Sequence, residues 1–292
     1  MTKINIIRYG NVDDETVNNF KNQIKSNYDR FKENPEFVEV LIIENSETAK
    51  IVKEREAKYL RLEKNVGISP ISPDSAVLHH AWFDTPTIVI NVEKYFEKDL
   101  TVSEGELIRA IVHSILHGKK EYYFIPEPPM YSQIRNLGLY LSKTADIIFY
   151  TITTGVKSWE VSKYLLEKDK ERYSIHRSVY LHHLKVSPEE KRVWEKVGNI
   201  FDIALLLFFN SLKVLMEAAP FAYEHGDKDI ESLIESNIAI LPSCISNDLR
   251  HFLKEYLSIL KVGETYSNIE LVVPRAIWFI KTIKRSLSDF TL

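Results

Sequence analysis

The sequence predicts an α+β fold followed by an all-helical region, and three observations carry that prediction. Short β-branched runs are confined to the first third of the chain. A helix with two chemically distinct faces follows them at about residue 103. Beyond it the periodicity stays helical to the end, with no repeat and no low-complexity tract.

In chain order, Ile4–Arg8 and Phe37–Ile43 read as strands, with a charged helix over Asp13–Lys32 between them. Ser46–Leu62 is a second helix, with Ala49, Ile51, Val52, Ala57 and Leu60 as its apolar positions. Ala76–Trp82 and Thr87–Val92 form a hairpin around Asp84-Thr85-Pro86, which puts Pro86 at a turn or edge. The sheet is therefore small, mixed or antiparallel. Ser103 with Glu106 three residues on has the spacing of a capping box, and Gly118-Lys119-Lys120 is a stop signal. Pro126, Pro128 and Pro129 mark a loop. Helices are expected over 132–153, 157–167, 171–184, 188–219, 229–238, 248–259 and 274–287. A composition shift near Val186 divides the chain into an α+β domain, 1–185, and a helical domain, 186–292.

The totals exclude several classes. A formal charge of −3 gives no bulk attraction to nucleic acid or to an anionic membrane. The single cysteine, Cys244, excludes a disulfide framework and a cysteine-based zinc ribbon, and reads as a small buried side chain. The start, MTKINIIRYG, lacks the pattern of a secretory signal, and the apolar stretch Ile200–Phe209 is interrupted by Asp202. A cytoplasmic protein without a membrane partner is expected. Trp159, Trp194 and Trp278 read as core.

The chemistry lies in Glu104–Gly118. At about 100° per residue, Leu107, Ile108, Ile111, Val112 and Ile115 share one arc, while His113 and His117 fall within about 40° of each other opposite it. Two imidazoles one turn apart can converge on one zinc ion. The bland reading is a chance pair on a solvated face. The run ELIRAIVHSILHG resembles the active-site helix of gluzincin-type zincin metallopeptidases, whose motif is His-Glu-x-x-His, often followed by Gly. Thr87–Val92 fits the strand that this family places before that helix. The resemblance implies a zincin-like unit and zinc held by His113, His117 and a third side chain.

Asp146 is the candidate third ligand. Its helix carries Leu139, Ala145, Ile147, Ile148, Phe149 and Ile152, so a carboxylate there needs a partner. Ala145-Asp146 also looks like a dipeptide that some metallopeptidases of this group carry, although Tyr150 departs from their pattern. The competing reading is an ion pair to Arg135 or Lys143.

Ser114 stands where the family has its general-base glutamate. A serine hydroxyl cannot shuttle protons as a carboxylate does. Glu121 lies past the stop and has no designed route to the site. His79 and His80 alternate across an edge strand, so one of them could face the cleft as a ligand, against the commoner reading of a solvated strand face. His182-His183 fit a helix end. The expected function is a catalytically impaired metallopeptidase homologue that binds a metal and serves as a binding or regulatory protein, with a protein or peptide partner. Two alternatives stay open: an active metal-dependent hydrolase with an unrecognised base, and a metal-free interaction module. If the helix holds position 114 beside the metal, Ser114→Glu would restore the base.

Overall fold

The computed structural model describes residues 2–60, 75–137, 139, 143–185, 188–197 and 200–288. It is α+β: a four-stranded mixed sheet with its helices, then helices. The chain divides into two compact units, Met1–Phe124 with Glu167–Val179, and Ile125–Leu166 with Tyr180–Leu292. This division crosses α6 and α7, because the late segment Glu167–Val179 packs with early residues, whereas the composition shift expected to mark a domain boundary lies at 185/186.

The first unit runs β1 (Lys3–Tyr9), α1 (Asp14–Phe31), β2 (Phe37–Ile43), α2 (Ser46–Leu60), β3 (Val77–His80), β4 (Thr87–Asn91), α3 (Val92–Glu97) and α4 (Leu100–Leu116). The sheet order is β1-β2-β4-β3. β1 and β4 run parallel to β2, in registers such as Ile4 opposite Val38 and Val40 opposite Ile88. β3 is antiparallel to β4, with Leu78 opposite Val89. The inner strands are apolar and buried over Val40–Ile43 and Ile88–Ile90, where both their faces are covered. Pro86 sits one residue before β4, at the turn position expected of it.

Around the sheet, Asp13 caps α1 by accepting from the Thr16 amide at 2.7 Å. Val17, Phe20, Ile24, Tyr28 and Phe31 then bury one helical face. Ala49 and Val52 of α2 pack with Leu41, Ile43, Val89, Trp82 and Tyr123. Ile51 points outward, and the expected core positions Ala57 and Leu60 lie outside the described side chains.

The capping box expected at Ser103 and Glu106 does not form. Asp99 is one turn earlier and accepts from the Thr101 amide at 2.8 Å. Helix α4 therefore starts at Leu100. Ser103 instead donates to the Tyr95 carbonyl at 2.7 Å, and Glu106 pairs with Lys98 at 2.7 Å.

The late segment closes this unit through a buried polar cluster. Asp169 accepts from Arg30 Nε and Arg172 Nε, each at 2.8 Å, and pairs with His176 Nε2 at 2.8 Å. Burial pushes the Asp169 carboxyl up, but the hydrogen bonds and charges of His176 and Arg172 outweigh it and hold it at about 2.

The second unit comprises α5 (Ser132–Arg135), most of α6 (Thr144–Lys168), the end of α7 (Tyr173–His183), α8 (Pro188–Val197), α9 (Phe201–Ala219), α10 (Lys228–Ile238), α11 (Ser246–His251) and α12 (Thr265–Ser288). Several expected boundaries move. α6 runs unbroken through Gly155, where a side chain would press on Met216, so the predicted break after Thr153 is absent. α12 starts at Thr265, with Pro274 inside it, because its first turn is anchored on α6. The buried Glu160 carboxylate accepts from Thr265 Oγ1 at 2.7 Å and from Asn268 Nδ2 at 2.6 Å.

Trp159 is core, but Trp194 is half-buried and Trp278 is 37% exposed. Cys244 lies exposed in a short turn, contrary to the buried role expected of it. The apolar stretch is longer than the sequence reading had it. Phe201–Glu224 is long and apolar enough to cross a membrane, yet 61% of its most apolar window is buried, as in a core helix.

Candidate functional site

The end of α4 meets two other elements of the first unit. After Leu116 the helix stops at His117, whose amide donates to the His113 carbonyl at 2.7 Å. Gly118 is required here by close approach. A Cβ at that position would lie 2.3 Å from the Ser114 carbonyl oxygen and 3.2 Å from Pro86. The turn Lys120–Tyr122 follows, and the Lys120 amide donates to Asp84 Oδ1 at 3.1 Å, tying the turn to the β3–β4 hairpin. A cleft of about 750 Å³ opens between the end of α4, the hairpin turn and Glu33–Phe37.

His113 and His117 come together as the one-turn spacing requires. Their Nδ1 atoms are 3.2 Å apart and their ring centres 5.3 Å apart. His117 is wholly buried and His113 half-buried. The Tyr122 ring stands edge-on to His117 at 5.3 Å and lines the cleft.

His79 of β3 lies against His113 with ring planes within 9° of parallel and centres 6.0 Å apart. Its Nδ1 is 2.6 Å from the Tyr123 hydroxyl. His80 points the other way, buried and stacked on Trp82 at 4.0 Å, and burial pulls its basicity down to about 3. The alternation of the two histidines is thus as expected.

Ser114 is turned into the core. Its Oγ donates to the Ile111 carbonyl at 2.6 Å and lies 2.5 Å from the Tyr28 hydroxyl. Asp146 belongs to the second unit, where its carboxylate accepts from Arg135 at 2.6 Å; the same guanidinium binds Glu127. Glu121 is exposed in the turn after α4. Among the described residues, no group of three or more His, Cys, Asp or Glu is placed to hold a metal ion.

The histidine pair nevertheless fits one. Two nitrogens bound to a tetrahedral zinc ion at about 2.0–2.1 Å lie about 3.3 Å apart, and their ring centres about 5.2 Å apart. The observed separations match both. Without an ion, the same spacing lets one imidazole donate a hydrogen bond to the other.

The sequence leaves His79 as a strand residue that could face the cleft but reads as solvated, and it offers no signal for a role of Tyr122 or Tyr123. The place of His79 on the strand expected beside the helix is not distinguishable from an ordinary half-buried edge without the packing.

Comparison of the chain with protein-family models, with curated proteins and with solved structures gives no match.

Proposed function

We propose that the first unit holds a divalent transition-metal ion, zinc foremost, on His113 and His117, and that the chain is a metallopeptidase-like protein without peptidase chemistry. In this reading it serves as a binding or regulatory protein for a peptide or protein partner. The observation that carries the reading is the 3.2 Å separation of the two Nδ1 atoms, the bite of one tetrahedral ion. A bound ion would polarise an oxygen ligand and lower the pKa of a bound water.

No base serves that water from position 114. The Ser114 hydroxyl is spent on Ile111 and Tyr28 and is 1% exposed. The sequence resemblance supports the same reading, since strand β4 precedes the histidine helix as that family requires.

The test is metal content of untagged protein together with hydrolysis of general peptide substrates. About one zinc per chain, lost in His113→Ala and His117→Ala, with no cleavage, is the expected result. A metal-free protein after zinc loading, or efficient metal-dependent cleavage, defeats the reading.

A further inference from the structure

We infer that the cleft beside the end of α4 receives a short cationic peptide segment, in which an arginine or lysine stands next to an apolar side chain. This deepens the partner part of the reading above and does not depend on the ion, since neither His113 nor His117 lines the cleft. Three observations carry it: the size of the cleft, its floor and its rim.

The cleft lies within the first unit and holds about 750 Å³. That is inside the range of about 300–1,000 Å³ usual for ligand sites. Its floor is apolar, made by Phe37 at the start of β2, Ile115 and Leu116 in the last turn of α4, and Tyr122 in the turn that follows. All four are only half-buried. The contrast along α4 is sharp. Leu107, Ile108, Ile111 and Val112 share an arc with Ile115 and are wholly buried, so the apolar stripe of the helix runs out of the core and into the cleft.

The rim supplies acceptors that the protein does not use. Glu33 and Glu36, in the segment joining α1 to β2, are exposed, and neither carboxylate has a hydrogen-bond or ion-pair partner among the described residues. Asp84, on the hairpin turn, gives Oδ1 to the Lys120 amide and leaves Oδ2 unspent. Asn34 Oδ1 is buried in the same lining with no donor among the described residues. The cation of this lining, Lys119, pairs with none of these groups.

An occupant that complements such a cleft carries positive charge and N–H donors, with apolar surface close beside them. Arginine and lysine supply the donors, and the guanidinium fork matches a carboxylate. A small cation would meet the rim and leave the floor in water. A peptide meets both, because adjacent side chains bring the two chemistries together. An acidic segment would set its own carboxylates against those of Glu33, Glu36 and Asp84.

The experiment follows fluorescence polarisation of a fluorescein-labelled hexapeptide of alternating arginine and leucine on the full chain, first in chelator and then with zinc. The expected result is saturable binding at one site per chain, about tenfold or more tighter than for alternating glutamate and leucine, and weakened by added salt. Glu33→Gln with Glu36→Gln, which changes only exposed side chains, should lose about tenfold. Leu116→Ala, checked for folding by thermal melting, should lose about threefold through the floor. Glu47→Gln with Glu54→Gln, two exposed positions of α2, should bind as the unmodified chain does. Unchanged affinity in the Glu33/Glu36 variant overturns the inference, as does an equal loss in the α2 control, which would mean attraction by bulk charge. Displacement by spermidine at the affinity of the peptide also overturns it, in favour of a small cation. If Leu116→Ala does not fold, the Glu33/Glu36 variant and the spermidine competition decide. Zinc bound without peptide binding defeats this inference alone, and peptide binding without zinc defeats the metal reading alone.

Discussion

The Ser114 Oγ lies 2.5 Å from the phenolic oxygen of Tyr28, and both side chains are buried. Since Ser114 spends its proton on the Ile111 carbonyl, Tyr28 is the donor of the pair. Burial raises the Tyr28 pKa well above the ordinary tyrosine value, so the hydroxyl keeps that proton at any physiological pH. The residue in the position of a catalytic base is thus a packing element between α1 and α4.

Replacing Ser114 with Ala leaves the buried Tyr28 hydroxyl without its acceptor, which costs about 1–3 kcal/mol. Tyr28→Phe in the same chain removes the stranded group, so the double variant should be more stable than the sum of the single losses. Urea denaturation of the four proteins checks the cycle. Strict additivity would mean that the contact carries no stability.

Ser114→Glu is expected to destabilise the protein by several kcal/mol and to restore no hydrolysis. The carboxylate would enter a space closed by the Tyr28 hydroxyl and the Ile111 carbonyl, where a second acceptor meets an acceptor. Thermal melting and a peptide-cleavage assay read the two parts separately. Cleavage by a stably folded variant would show that position 114 can face the histidines.

Asp169 sets an acid limit for the first unit. Its pKa is held at about 2 in the fold, against 3.8 when free. The unfolded chain therefore binds the proton first, and the stabilisation, complete above pH 4, is lost as the pH falls towards 2. Asp169→Asn should cost about 3–5 kcal/mol at neutral pH, because Arg30, Arg172 and His176 lose their shared carboxylate. The difference from the unmodified chain should shrink as both are melted at lower pH.

Lys157, in the second unit, destabilises the fold where Asp169 stabilises it, although the stability rises with pH in both cases. Burial lowers its pKa from 10.5 to about 7, with Glu160 opposing and Lys213 reinforcing the shift. Between those values the unfolded chain holds the proton and the folded one does not, so stability rises with pH from 7 to 10.5. Lys157→Met should raise the melting temperature at pH 7, with the gain vanishing near pH 10.5. A lower melting temperature at pH 7 would show that the amine's contacts outweigh its burial.

Most of the first unit was readable from local patterns. The strand runs, the hairpin and the one-turn histidine pair each depend on neighbours within a few residues, and all of them form. The capping box failed because two acidic or hydroxyl side chains near the helix start compete, and Asp99 precedes Ser103. The direction of Ser114 could not be read, since the α1 residue that captures it is 86 positions away. His79 looked like a solvated strand residue for the same reason: its partners His113 and Tyr123 lie 34 and 44 positions away. The division into two compact units could not be read, because no glycine- or proline-rich linker marks a crossing inside α6 and α7.

That crossing has a consequence for the order in which the protein can mature during synthesis. All four strands have been made once Asn91 has emerged, and the histidine helix is complete by residue 116. Arg30, however, has no buried carboxylate to grip until Asp169 is translated, and Gly105 of α4 stays uncovered until Ile175 and Val179 arrive to pack on it. At about 5–20 residues per second, the early unit waits several seconds with one side open. During that interval the nascent chain presents apolar surface that only its own later residues can close, so this stage is where chaperones would find it and where shortened chains ending before residue 169 would be captured by proteases.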